Sequence, residues 1–280
     1  MEKNLIVFLN IRDEFEEYSE SIESIRAAAN RWKADVYEIT NCKYPSLVKN
    51  LNTLFFWNRV WIMENFISYD KVLIVDTDII INSNAPNIFT LLTQDIAGVL
   101  DGNPGRLVND FFKNRYLKNI AFEGNTSSVF SCIKNFNVDK YWDNYINMGV
   151  FLFNPKTIYN QIQHLKDWVF NNTTIWDYLY SNVGFTEQNL FNAWLSSLDI
   201  NIQILDNKWN WIAPDATGFG GSPVDQWDPS TEELVIWDQL NSPAPNYTNN
   251  FHVGKMYPYI YHFCGTNEAK QALKYYKKWR

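Results

Sequence analysis

Asp76 and Asp78 stand one residue apart, around Thr77, between two apolar runs. Lys71-Val72-Leu73-Ile74-Val75 precedes them and Ile79-Ile80-Ile81 follows. Carboxylates in such a place are costly to bury without a partner. A divalent cation supplies one, because hard oxygen ligands at the carboxyl end of a strand suit Mg²⁺ or Mn²⁺. An arbitrary D-x-D is more often a solvated turn, so the context has to argue for the metal. Here the preceding run has the length and β-branched content of a buried strand in a parallel sheet. Open α/β sheets bind ligands beyond the carboxyl ends of such strands.

Two further residues have chemistry to offer. Arg59 is the single basic residue of residues 51–67, a long apolar stretch read as a helix leading into the D-x-D strand. Its guanidinium is either a surface charge snorkelling off a buried helix or a contact to phosphate or sugar. His262, one of three histidines, lies in an aromatic strand-like run over 259–265 that ends at Gly265. His164 falls mid-helix and His252 in an irregular region, so neither is as well placed.

The elements that must position these groups follow from periodicity. Residues 4–10 read as a first strand. Residues 15–32 read as a helix with an apolar stripe at Ile22, Ile25, Ala28, Ala29 and Trp32, and residues 34–39 as a second strand. That β-α-β start is the unit of a doubly wound sheet. The end of the first strand, at Leu9 and Asn10, is a natural resting place for a nucleotide base. No G-x-G-x-x-G follows it, which speaks against a dinucleotide site. A short helix over 87–92 and a strand over 96–100, ending at Asp101, come next. Residues 103–143 have no clean period and read as an excursion from the sheet. A strand over 145–154 carries Asn147 and Gly149, and Pro155 opens a helix to 170, as proline at a first helical position does. A helix over 184–198 holds Glu187 and Gln188 in its first turn. A strand over 201–205, a Trp-, Pro-, Gly- and Asn-rich region over 206–258 with little regular structure, and a closing helix over 269–280 complete the chain.

Composition bounds the function. A chain of 280 residues with 46% hydrophobic and 20% charged residues describes a soluble globular protein with ample material for a core. The net charge of −7 argues against nucleic acid. A phosphate-ester substrate would need a metal to approach so acidic a protein. Three scattered cysteines, Cys42, Cys132 and Cys264, form neither a disulfide framework nor a zinc pattern and point to a reducing, cytoplasmic location. No run reaches the length of a membrane span, and the N-terminus does not read as a signal peptide. No linker or repeat divides the chain. It is read as one domain over 1–280, with a nucleotide-binding part over about 1–100 and an acceptor and donor-sugar part over about 101–280.

Taken in order, Arg59, Asp76-Thr77-Asp78, Asp101, Asn147-Met148-Gly149, Glu187-Gln188 and His262-Phe263-Cys264-Gly265 form a series. It resembles the glycosyltransferases of family 8, the glycogenin and bacterial galactosyltransferase type, on the GT-A fold. The resemblance runs from the first strand to His262. It implies an α/β fold with a single Rossmann-like mixed central sheet flanked by helices. It also implies transfer of a hexose from a UDP-sugar to a glycan or other hydroxyl acceptor, with Mn²⁺, or Mg²⁺, as cofactor.

By that resemblance Asp76, Asp78 and His262 are the metal ligands. Leu9, Asn10, Arg59, Thr77, Asn147, Gly149, Gly265 and Lys270 line the donor along with the two aspartates, and Gln188, Glu187 and Asp101 stand at the reacting sugar. Two departures are visible. Glu187 replaces the usual aspartate and is one methylene longer. Glu268 occupies the position of a phosphate-binding lysine, and the nearest lysine is Lys270. No strong nucleophile is evident beside the donor, so same-face attack by the acceptor, with retention, is expected. A nucleotidylyltransferase would show a Gly-rich basic loop after the first strand, which Asn10-Ile11-Arg12-Asp13 lacks. A catalytically silent sugar- or nucleotide-binding protein of the same fold is the other alternative, against which the intact D-x-D and His262 argue.

Overall fold

The computed structural model describes residues 2–10, 18–40, 62–100, 135–171, 187–212, 227–228, 233–235, 255–256 and 259–262. Arg59, Asp101, Gly265, Lys270, His252, the three cysteines and the expected closing helix lie outside the described residues. Among the described residues, no helix is long and apolar enough to cross a membrane.

β1 (Asn4–Leu9), β2 (Asp35–Ile39) and β3 (Lys71–Val75) belong to the central sheet, while β4 (Ile79–Ile81) leaves it. β5 (Ile96–Leu100), β6 (Ile146–Phe153) and β7 (Ile202–Ile204) complete the sheet, in the order β2-β1-β3-β6-β5-β7. β1 is parallel to β2 and β3, and β7 to β5, whereas β6 runs antiparallel to both β3 and β5. The parallel setting expected for β3 therefore holds on one side only. A run buried on both faces reads the same in either direction, so its composition could not set the direction of its second neighbour.

Both faces of the sheet are covered, and side chains alternate between them. Leu5, Val7, Leu9, Val72, Ile74, Phe151 and Phe153 share one core. Ile6, Phe8, Leu73, Val75, Val150 and Leu152 share the other. This is why Leu5–Leu9, Val72–Val75 and Val150–Phe153 are apolar without a polar interval. α1 (Ser19–Trp32) closes the second core with the predicted stripe of Ile22, Ile25, Ala28, Ala29 and Trp32. α2 (Val138–Asp143) is short and capped by the Asn137 side chain. α3 (Pro155–Asn171) and α4 (Glu187–Ser197) cover the first core through Ile158, Ile162, Leu165, Leu190 and Phe191.

Residues 51–67 do not all form one α-helix. Their described end, Ile62–Phe66, is a 3-10 helix, broken where the Tyr69 N–H turns back to the Phe66 carbonyl at 2.9 Å. It is tied to α3 by Glu64, which accepts from Lys166 Nζ at 2.7 Å and from the Gln163 amide. The region 206–258 also holds more structure than its composition suggested. It contains a 3-10 turn (Asn207–Trp209), β8 (Trp211–Ile212), and an antiparallel set of β9 (Trp227–Asp228), β10 (Glu233–Val235) and β11 (Lys255–Met256). Strands of two or three residues are too short to show a period of two.

The element that completes the site is β12 (Ile260–His262). It lies between β4 and β8, antiparallel to the first and parallel to the second. The register pairs His262 with Ile79 and with Ile212. Tyr259 fixes the strand's start: its N–H reaches the Lys208 carbonyl at 2.8 Å, and its carbonyl accepts the Asn82 N–H at 2.9 Å.

Candidate metal centre

β3 delivers the first aspartate. Past Val75 the ladder with β6 continues for one bond, from the Asp76 N–H to the Gly149 carbonyl at 2.8 Å. Thr77 then turns toward β1 and donates its hydroxyl to the Leu9 carbonyl at 2.9 Å. With the backbone anchored on both sides, Asp78 is set at the start of β4, opposite the end of β12. The turn between β3 and β4 is only the three residues Asp76, Thr77 and Asp78.

The three expected ligands converge. Ligand atoms of Asp76, Asp78 and His262 lie within 4.8 Å of one another. His262 Nε2 is 3.5 Å from Asp76 Oδ2 and 3.3 Å from Asp78 Oδ1. The carboxylate side chains keep 22% and 19% of their exposure while the imidazole keeps 4%, so the cluster opens to solvent on its acidic side. Three electron-rich atoms at such distances repel unless a proton or a cation lies between them. Neighbouring ligands of an octahedral ion at about 2.1 Å sit roughly 3 Å apart, a few tenths of an ångström inside the two His262–carboxylate distances. Two carboxylates and an imidazole are also a donor set that Mn²⁺ or Mg²⁺ accepts. The residues fit such an ion.

Gly149 explains how the histidine reaches this position. A Cβ there would stand 2.1 Å from His262 Cε1 and 2.6 Å from Nδ1, far inside any permitted contact. The imidazole lies against bare backbone. Asn147, two residues earlier on the same face of β6, is buried. Its carbonyl accepts the Gly149 N–H at 2.7 Å and the Asn210 amide at 2.8 Å. Asn210 in turn presents its Oδ1 to His262 Nδ1 at 2.9 Å. Sequence reasoning missed Asn210. It sits between Trp209 and Trp211, and only the parallel pairing of the two-residue β8 with β12 brings it to the histidine.

The remaining expected residues fall in three groups. Leu9 and Asn10 end β1 beside Thr77, and Asn10 donates its amide to Glu38 at 2.6 Å. Gln188, at the start of α4, faces β6: its Oε1 accepts the Met148 N–H at 3.0 Å and its amide lies 3.4 Å from the Tyr145 hydroxyl. Glu187 opens the same helix. Arg59, Asp101, Gly265 and Lys270 lie outside the described residues.

A mixed α/β sheet with an acidic pair at the end of a central strand is the architecture of the GT-A class of glycosyltransferase. The fold matches solved members of that class. One is the galactosyltransferase LgtC in complex with donor and acceptor sugar analogues, 14% identical, covering 98% of this chain and 94% of that one with a TM-score of 0.50. An active-site mutant of LgtC gives 14% identity over the same shares and a TM-score of 0.53. A glycosyltransferase involved in glycosylation of the major capsid of PBCV-1 aligns over 99% of each chain, with 14% identity and a TM-score of 0.49. No curated protein sequence matches the chain. The family model for glycosyl transferase family 8 spans residues 7–269, and the chain belongs to that family.

Proposed function

We propose that the protein is a metal-dependent hexosyltransferase that uses a UDP-sugar donor, with Mn²⁺ as the preferred ion and Mg²⁺ as the alternative. The observation that carries this reading is the convergence of Asp76, Asp78 and His262, whose ligand atoms gather within 4.8 Å. With a net charge of −7, so acidic a protein needs a metal to bring in a diphosphate. When bound, the ion supplies Lewis-acid stabilisation of the departing diphosphate.

The chain's own residues do the rest. Asp76 and Asp78 hold the ion from the sheet, and His262 holds it from β12. Leu9, Asn10 and Thr77, joined through the Thr77 hydroxyl, form a floor for the nucleotide base. Asn147 and Gly149 back His262 on β6, beside the donor on the family pattern, and Gln188 on α4 orients the sugar. On the family pattern Arg59 and Gly265 complete the donor site and Asp101 and Glu187 stand with Gln188 at the reacting sugar, while Lys270 serves the diphosphate from two residues beyond the pattern's lysine position. The acceptor is a glycan or another hydroxyl compound, and the three scattered cysteines favour a cytoplasmic setting.

In a same-face mechanism the acceptor hydroxyl attacks the anomeric carbon directly as UDP leaves, so no protein nucleophile is needed. A departing phosphate oxygen takes the acceptor's proton, so no general base is needed. The product from an α-linked donor is then α-linked. A panel of UDP-sugars, assayed for UDP release with and without Mn²⁺, tests the proposal. Release should depend on the metal and stop in excess EDTA; full turnover in EDTA would reject it. Proton NMR of the first product reads the anomeric coupling, and a β-linkage would reject retention while leaving the metal site standing.

A further inference from the structure

The hydrogen bonds behind the histidine have a direction that one backbone group fixes. Side-chain amides are nearly symmetric in shape, so their polarity must be deduced from partners that have no choice. The Gly149 N–H is such a partner, since a backbone amide only donates. The Asn147 oxygen that it meets at 2.7 Å must therefore be the carbonyl. That same carbonyl lies 2.8 Å from the Asn210 side chain, so Asn210 must turn its NH₂ toward it. Its carbonyl then faces His262 Nδ1 at 2.9 Å. An amide carbonyl only accepts, and the proton must therefore sit on Nδ1. Asn147, Asn210 and His262 are 7%, 1% and 3% exposed, so water does not compete for these bonds.

We infer that Asn210 is a positioning residue that keeps the His262 proton on Nδ1 and so turns an Nε2 lone pair toward Asp76 and Asp78. A ligating histidine is commonly held in this way, by a partner that receives its second ring N–H. Here the partner is an uncharged amide, and its own orientation is imposed through Asn147 by the backbone of the strand pairing with β3. Gly149 acts twice in the arrangement. Its N–H sets the polarity of the relay, and its missing Cβ lets the ring lie where the relay holds it. The inference rests on the metal reading for its purpose, but the proton on Nδ1 stands or falls by itself.

The test uses the full-length protein with ¹⁵N-labelled histidine; with three histidines in the chain, His164→Gln and His252→Gln assign the spectrum. Spectra are recorded without metal and with excess Mg²⁺, which is diamagnetic, and Mn²⁺ affinity is titrated separately with the metal alone. The expected result is a protonated, slowly exchanging Nδ1 of His262 in both spectra, with Nε2 the nitrogen that responds to Mg²⁺. Asn210→Leu should remove the protected Nδ1–H signal and weaken Mn²⁺ binding by about 10–100-fold. Asn210→Asp keeps an oxygen acceptor on Nδ1 and should retain the signal, although its second oxygen opposes the Asn147 carbonyl. An Nδ1 that responds to metal in the wild-type protein, or an Nδ1–H signal and Mn²⁺ affinity that survive Asn210→Leu, overturns the inference. A wild-type protein that shows the protected Nδ1–H yet binds no Mn²⁺ supports the relay and rejects the metal reading instead.

Discussion

At Gly149 the constraint is steric and local. The ring that a new methyl group would strike is buried and held by Asn210, and the nearest atom would stand 2.1 Å away. Gly149→Ala should push His262 out of the ligand set, lowering Mn²⁺ affinity by about tenfold or more and costing about 1–3 kcal/mol of stability from overpacking. A Mn²⁺ titration beside a denaturant melt checks both. Asp78→Asn leaves the shape intact and removes a charge, so it should weaken Mn²⁺ and UDP binding together. Gln188→Ala should behave differently. UDP carries no sugar for the amide to orient, so UDP affinity should hardly change while kcat falls about 100-fold, the loss typical of one oriented polar group. Equal losses in both would place Gln188 with the nucleotide. Protons compete with the ion for Nε2, so metal affinity should also weaken as pH falls.

The elements that carry these residues were unevenly legible. β1, β3 and β5 were readable because each is a continuous apolar run between polar stops, and α1 because five apolar residues fall on one face. Pro155 marked the start of α3 through its missing N–H. The D-x-D pair and His262 were recognisable as types and in order, yet nothing in their spacing says that β12 lies against β4. That pairing rests on three residues. Asn210 was invisible for the same reason, and the 3-10 end of residues 51–67 was hidden by a composition that suits a helix. Two tethers hold these elements to the frame. Glu64→Ala removes the carboxylate that Lys166 and Gln163 both reach, and should cost about 1–3 kcal/mol, read by urea denaturation. Asp70 joins the start of β3 to α3 and β1: Lys156 Nζ at 2.7 Å and then the Lys3 N–H hold its carboxyl below the usual 3.8. A lowered value contributes stability above that ordinary pKa and loses it as pH falls through the folded value. Because the group is exposed, the effect should be small and screened by salt; Asp70→Asn should flatten the acid limb of the stability curve at low ionic strength.

Across the whole molecule, the ligand set joins residues far apart in sequence, Asp76 and Asp78 with His262. Two ligands follow β3 of the central sheet, and the third comes from β12 in a separate three-stranded sheet. An ion that binds only this folded arrangement should raise thermal stability with concentration, by about 2.7 kcal/mol at a hundred times its Kd. Mn²⁺ should therefore increase Tm, EDTA should reverse the gain, and His262→Ala should abolish it; an equal rise in that variant would place the ion elsewhere. The docking of β12 on β4 also gives the site a timetable. During synthesis the two aspartates leave the ribosome long before His262, by an interval on the order of ten seconds or more at about 5–20 residues per second. Through that interval a nascent chain carries its acidic pair between apolar strands without the third ligand. Transcripts cut short between codons 78 and 262 thus yield polypeptides that own the D-x-D sequence and lack the complete centre, so the ion can serve as a check that translation reached β12.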